Sequence, residues 1–136
     1  MPILDSLNEY QREAVLKTDG ALLIIAGAGS GKTKTIAHRI AYLISKGIAP
    51  QKILAVTFTN KAAGEMRERV ESLLKKEKIY TNTENMPFLG TFHSLGVYIL
   101  RRDGHRIGIS KNFSILDEED TRKIMRDLIQ DFELNP

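Results

Sequence analysis

Residues 26–33 read Ala-Gly-Ala-Gly-Ser-Gly-Lys-Thr, three glycines at alternate positions and then a cation and a hydroxyl. That spacing, [AG]-x-x-x-x-G-K-[ST], is the spacing of a phosphate-binding loop. Glycines 27, 29 and 31 permit positive φ, so that backbone N–H groups, with those of Ala28 and Ser30 between them, can approach phosphate oxygens. Lys32 supplies a compact charge for β- and γ-phosphates, and the Thr33 hydroxyl is placed to ligate Mg²⁺. These two are the candidate catalytic residues. The pattern predicts a bound nucleoside triphosphate and leaves the reaction open.

Such a loop works only between a strand and a helix, where the helix's positive end meets the same anion. The flanks supply both on paper. "ALLIIAG" (21–27) is a continuous apolar run bounded by glycines and predicts a strand buried on both faces. "GKTKTIAHRIAYLISKG" (31–47) predicts a helix with Ile36, Ile40, Leu43 and Ile44 on one stripe. Before the loop, Leu7, Tyr10, Ala14 and Val15 space a short helix, with Asp5 or Ser6 available as N-cap. "KILAVTF" (52–58) predicts a second buried strand, and Asn60 opens a helix through Lys76. "EKIYTNTENMP" (77–87) reads as an exposed loop, "FLGTF" (88–92) as a third strand, and "HSLGVYILRRDG" as a helix closed by Gly104. Strand and helix alternating three times predict parallel βαβ units and an α/β fold. "DEEDTRKIMRDLIQDFEL" follows with Asp117 as N-cap of a helix carrying Ile124, Met125, Leu128 and Ile129.

Composition narrows the setting. The chain has 136 residues, 27% charged and 42% hydrophobic, enough for one domain with a core. It has no cysteine, which excludes a disulfide framework and a thiolate zinc site. No apolar run approaches the ~20 residues of a membrane span, and the N-terminus is unlike a signal peptide. A cytoplasmic address without membrane contact is the expectation. The net charge of +3 hides an asymmetry: 17 basic and 10 acidic residues lie before residue 117, against 3 and 7 from residue 117 onward. A basic body suits a polyanion, though charge alone fits a solvated surface as well.

Four segments carry a family resemblance. "LNEYQREAV" (7–15) looks like a Q motif, "AGAGSGKT" like motif I beginning with alanine, "ILAVTFTNKAAGEMRERV" (53–70) like motif Ia, and "GTFHSLGVYILRR" (90–102) like motif Ib. Together they resemble the superfamily-one UvrD/Rep/PcrA-type DNA helicases, in particular the PcrA-like branch. The resemblance runs on through "RIGISKNFSILDEED" (106–120). It implies a partial RecA-like parallel sheet of the P-loop NTPase class over residues 1–110, domain 1A, followed by the start of helical subdomain 1B over 111–136. ATP and Mg²⁺ are the implied cofactors, with Ala26, Gly27, Ala28, Gly29, Ser30, Gly31, Lys32, Thr33 and Lys34 around the nucleotide. Gln11 would read the adenine edge through its amide donor and acceptor; a solvated helix glutamine is the alternative.

Phe58, Thr59 and Asn60 lie at the C-terminal end of the second strand with Lys61 just after them, and the resemblance implies that this segment touches single-stranded DNA. Phe58 there offers a stacking face, or else packs into the core. Lys61 could meet a backbone phosphate or be a surface lysine. Thr91, Phe92 and His93 repeat the design after the third strand. Arg101, Arg102, His105 and Arg106 form a basic cluster that is either a DNA-backbone contact or a solvated face. The implied activity of the whole protein is ATP-driven 3′→5′ translocation on single-stranded DNA and unwinding at duplex–single-strand junctions, with ATP split against a second RecA-like domain.

One position departs from the family. Arginine usually follows "GKT" and lies flat on the adenine, whereas Lys34 stacks poorly, so weaker nucleotide binding is expected. The family's motif II, an Asp-Glu pair at a strand end, has no counterpart, because "DEED" (117–120) opens a helix. The arginine finger is missing as well. These 136 residues read as an N-terminal piece that holds nucleotide without hydrolysing it efficiently. A non-enzymatic, nucleotide-gated DNA-binding or inhibitory module is the alternative. A small-molecule kinase leaves "TFTNKAA" unexplained, and a GTPase would need Asp where "TNKAAGE" has Ala.

Overall fold

In the computed structural model residues 2–79 and 85–132 are described; part of the loop read at 77–87, residues 80–84, lies outside them. The chain divides into two compact units, Met1–Gly96 and Val97–Pro136.

In the first unit a four-residue helix, α1 (Pro2–Asp5), precedes α2 (Glu9–Leu16). The N-cap of α2 is Asn8, not the expected Asp5 or Ser6. Its side chain accepts from the Gln11 N–H at 2.9 Å while the Gln11 side chain accepts from the Asn8 N–H at 3.2 Å. This reciprocal capping box satisfies two of the helix's free donors. α3 (Lys32–Ser45) buries Ala37, Ile40, Ala41 and Ile44, so its inner stripe lies one residue round from the predicted one and leaves Ile36 exposed.

The sheet is smaller than the sequence suggested. β1 (Leu54–Thr57) and β2 (Phe88–Thr91) pair in parallel, Leu54 opposite Phe88 and Thr57 opposite Thr91. The crossover between them is α4 (Asn60–Lys76), capped by the Thr59 hydroxyl, which accepts from the Ala62 N–H at 3.1 Å. This is one βαβ unit, the parallel arrangement expected of an α/β fold. The strand predicted over 21–27 does not form. Those residues have no strand partner, and Leu23 and Ile25 are 81% and 88% exposed. An apolar run becomes a buried strand only where neighbouring strands take up its N–H and C=O groups, and among the described residues β1 and β2 pair only with each other. The core instead joins α1, α3, α4 and β2 through Ile3, Ile40, Val70, Leu74 and Leu89.

β2 ends one residue earlier than predicted, because Phe92 already opens α5 (Phe92–Asp103). Gly90 has no room for a side chain: a Cβ there would lie 2.5 Å from Ser94 Oγ and 3.0 Å from the Phe88 ring. In the second unit Gly104–Ile107 forms a 3-10 turn, and α6 (Glu118–Asp131) follows. Asp117 caps α6 as expected, accepting from the Asp120 N–H at 2.8 Å. The stripe Ile124, Met125, Leu128 and Ile129 is exposed.

Candidate functional site

Two features of the first unit gather the residues singled out by sequence. One is the turn entering α3. Gly31 is its N-cap, with φ 87° and ψ 23°, and Gly29 has φ 74°. Both occupy the left-handed region, where a Cβ is strained. Gly27 does not, contrary to the expectation for all three glycines. Ser30 folds the turn by donating from Oγ to the Gly27 carbonyl at 2.7 Å. The Lys32 ammonium curls back over it, donating to the carbonyls of Ala26 at 2.8 Å and Gly27 at 2.7 Å. Two oxygen dipoles thus hold the cation at the turn's mouth.

Gln11 reaches the same turn from α2. Its Nε2 donates to the Ser30 carbonyl at 3.1 Å and would stand 2.9 Å from any Cβ on Gly31. With its Oε1 on the Asn8 N–H, the amide uses both its donor and its acceptor on the protein. Thr33 is exposed and lines a cavity of about 360 Å³ with Gly29, Gly31, Lys32, Lys34, Glu65 and Arg69. Glu65 and Arg69 come from α4, four residues apart on that helix. Nothing in the sequence shows that this face meets the loop. The Lys34 ammonium donates to the Ser6 carbonyl.

The second feature lies at the C-terminal ends of the parallel strands. Because Thr57 is opposite Thr91, the next residues, Phe58 and Phe92, emerge side by side. Their ring centroids are 5.9 Å apart at 53°, and they are 90% and 56% exposed. Phe58 therefore does not pack into the core. Asn60, Lys61 and His93 are exposed beside them in the first turns of α4 and α5, while Thr59 spends its hydroxyl on the α4 cap. Thr91 is buried, and its polar groups go to Ser94: the Thr91 N–H donates to Ser94 Oγ at 2.7 Å, and Ser94 Oγ donates to the Thr91 carbonyl at 2.8 Å. Ser94, three residues on in a T-x-x-S spacing, went unnoticed although capping logic could have found it.

In the second unit the basic cluster is largely engaged by its own neighbours. Arg102 pairs with Asp103 at 2.7 Å and lies over the Tyr98 ring, Arg106 is 3.8 Å from Asp103, and Arg101 lies over Phe113. The Asp103 carboxylate holds the Arg102 guanidinium above its usual range.

His38 of α3 was also overlooked. It is buried, and its Nδ1 lies 2.5 Å from the Ile3 carbonyl. A carbonyl only accepts, so that nitrogen carries the proton. Burial pushes its pKa below 6.5 against the opposing Ile3 bond, and Lys34, Arg69 and Lys76 lower it further. Among the described residues no group of three or more His, Cys, Asp or Glu could hold a metal ion, and no helix is long and apolar enough to cross a membrane.

With a lysine-bearing turn at a helix N-terminus and a parallel βαβ unit in place, comparison with known proteins gives the class. This chain belongs to the UvrD/REP helicase N-terminal domain family, which it matches over residues 7–136. It is 52% identical over 135 residues to the ATP-dependent DNA helicase PcrA of Bacillus subtilis (strain 168), covering 98% of this chain and 18% of that protein. It is 49% identical over 129 residues to the PcrA of Staphylococcus epidermidis (strain ATCC 12228 / FDA PCI 1200), and 48% to that of Staphylococcus aureus (strain COL), each covering 94% of this chain and 17% of the relative. The chain therefore spans less than a fifth of the length of these relatives.

Proposed function

We propose that this chain binds ATP with Mg²⁺ on the turn at residues 26–33 and single-stranded DNA across the Phe58–Phe92 face. In this reading it is the N-terminal, ATP-binding part of a 3′–5′ DNA helicase. Residues 1–110 belong to RecA-like domain 1A and 111–136 begin subdomain 1B. The observation that carries the nucleotide half is the Lys32 ammonium resting on the carbonyls of Ala26 and Gly27. A cation parked on neutral dipoles at a helix N-terminus is poised to exchange them for phosphate oxygens, a stronger charge-assisted pairing.

The donor set fits the ligand. Loop N–H groups and Lys32 would hold the phosphates, and the exposed Thr33 hydroxyl would share Mg²⁺ with them, consistent with a cation that keeps most of its other ligands as water. The metal would neutralise charge on the phosphates when bound. Gln11 would have to turn its amide from Ser30 toward the adenine. Phe58 and Phe92 would stack bases, with Asn60, Lys61 and His93 close enough to reach the strand's backbone.

A nucleotide-gated DNA-binding module without turnover is the second reading. It is favoured by the loop cavity, whose lining among the described residues carries one carboxylate, Glu65, where phosphoryl transfer to water uses an acid for the metal and a base for the nucleophile. Calorimetric titration of ATP–Mg²⁺ into the wild type and Lys32→Ala tests the site. The variant should bind at least about tenfold more weakly, one charge-assisted contact being worth roughly 1.5–3 kcal/mol. Equal binding would remove the assignment. Phosphate release with and without single-stranded DNA then separates the two readings, because strong DNA-stimulated hydrolysis by this chain would rule out the second.

A further inference from the structure

Four side chains from α2, α3 and the end of α4 bind the backbone of the first six residues. The Ile3 N–H donates to Glu77 Oε1 at 3.0 Å, and the Ile3 carbonyl accepts from His38. Arg12 Nη2 donates to the Leu4 carbonyl at 3.3 Å, and Lys34 Nζ donates to the Ser6 carbonyl. Ile3 is fully buried, so the N-terminal half of this strap is anchored in the core, whereas Ser6 is exposed. The Ser6 end is the one held by a side chain that also faces the phosphate loop.

Lys34 lies one residue past Thr33 in the first turn of α3. It lines the 360 Å³ cavity with Gly29, Gly31, Lys32 and Thr33. It also lines a separate cavity of about 880 Å³ with Pro2, Asp5, Ser6 and His38. One half-buried lysine therefore lies between the nucleotide site and the strap, and its ammonium, now on the Ser6 carbonyl, cannot serve both. Against a neutral carbonyl, a triphosphate carrying several negative charges is the stronger partner.

We infer that the segment Pro2–Ser6 is a nucleotide-responsive strap, fastened at Ser6 by Lys34 and loosened when a bound triphosphate draws that ammonium away. The inference rests on the nucleotide assignment above and adds a consequence to it. Occupancy of the loop is reported at the N-terminal segment, just ahead of the Asn8–Gln11 capping box. His38 and Glu77 keep the Ile3 end in place in both states, so the strap frays from Ser6 and does not detach.

Hydrogen exchange on the 136-residue chain tests this, read at the Leu7 amide, which donates to the Leu4 carbonyl at 3.3 Å. A non-hydrolysable ATP analogue with Mg²⁺ should speed exchange there roughly threefold to tenfold, the scale of one lost charge-assisted hydrogen bond in a partly exposed setting. Lys34→Met should already exchange at the faster rate without nucleotide and should not respond to it. Lys34→Arg, which keeps a cation, should restore protection. Binding is measured separately by calorimetry, which keeps the two readings apart. Saturating nucleotide that leaves Leu7 exchange unchanged, or speeds it equally in Lys34→Met, overturns the strap and leaves the nucleotide site standing. Absence of binding overturns both.

Discussion

Truncating Phe58 separates a stacking surface from a packing residue with unusual clarity. At 90% exposure the ring buries almost nothing, so Phe58→Ala should change stability by no more than about 0.5 kcal/mol, the range of surface substitutions. The ring's contact with Phe92, at 5.9 Å and 53°, adds at most the low end of the roughly 0.5–1.5 kcal/mol of an aromatic pair. If a DNA base stacks on Phe58, the same substitution removes about 1–3 kcal/mol of binding, or roughly 5- to 150-fold in Kd. Phe92 is more buried, so Phe92→Ala should cost both stability and binding. When both rings hold one base, the double variant loses less binding than the two singles added together. The assay is fluorescence anisotropy with a labelled oligothymidylate across a salt series. Because no charge is removed, the dependence of Kd on salt should keep its slope while the whole curve shifts. Unchanged affinity in Phe58→Ala, or a melting temperature several degrees lower, would refute the stacking argument.

Gly90→Ala should destabilise the first unit by about 1–3 kcal/mol, because its Cβ would displace Ser94 Oγ from Thr91. Gly64→Ala in α4 meets nothing within 4 Å and should stabilise by up to ~1 kcal/mol, so paired urea titrations test crowding against backbone entropy. For His38 the folded pKa lies below 6.5, so between the two values the unfolded chain binds more protons and stability falls with falling pH. Its contribution is fully present above about pH 6.5 and is lost as pH drops through the folded value, at no more than about 1.4 kcal/mol per pH unit. Lys34, Arg69 and Lys76 oppose protonation of this histidine, while Asp5, Glu65 and Glu68 also line the adjoining cavity. Unfolding midpoints at pH 7.5 and 5.5 should therefore diverge more in the wild type than in His38→Gln, and parallel behaviour would refute the assignment.

Local chemistry was legible in the sequence, and long-range placement was not. The helix over 60–76 and the Asp117 cap follow from periodicity and capping residues, and both form as read. The loop's spacing foretold a turn that opens a helix with a lysine at its first position. The strand at 21–27 failed because apolar content reports a wish to be buried, whereas a strand also needs partners for its backbone. For Phe58 it is the packing alternative that falls away: taken alone, an aromatic residue closing a strand reads as core, and the register of β1 against β2 brings it beside Phe92 at the surface. Glu65, Arg69 and His38 sit on helical spacings that look like ordinary solvent or core positions. What they face depends on how α4 and α1 pack against α3, which no local pattern encodes.

That packing gives α4 a double attachment. Its N-cap, Thr59, follows Phe58 directly, so the helix begins at the aromatic pair. Ten residues further on, about 15 Å at the rise of an α-helix, Arg69 lines the cavity beside Lys32 and Thr33. Between those points the helix is continuous, with Ala63 and Met66 buried along its inner face and Val70 buried just beyond. Bending it would break backbone hydrogen bonds and core contacts together, so a small displacement at one end travels as a rigid-body shift to the other. On the proposed reading, a nucleotide that moved Arg69 or Glu65 would shift the ground on which Phe58 stands. DNA bound at Phe58 would then alter nucleotide affinity by the same factor, because a coupling free energy is reciprocal.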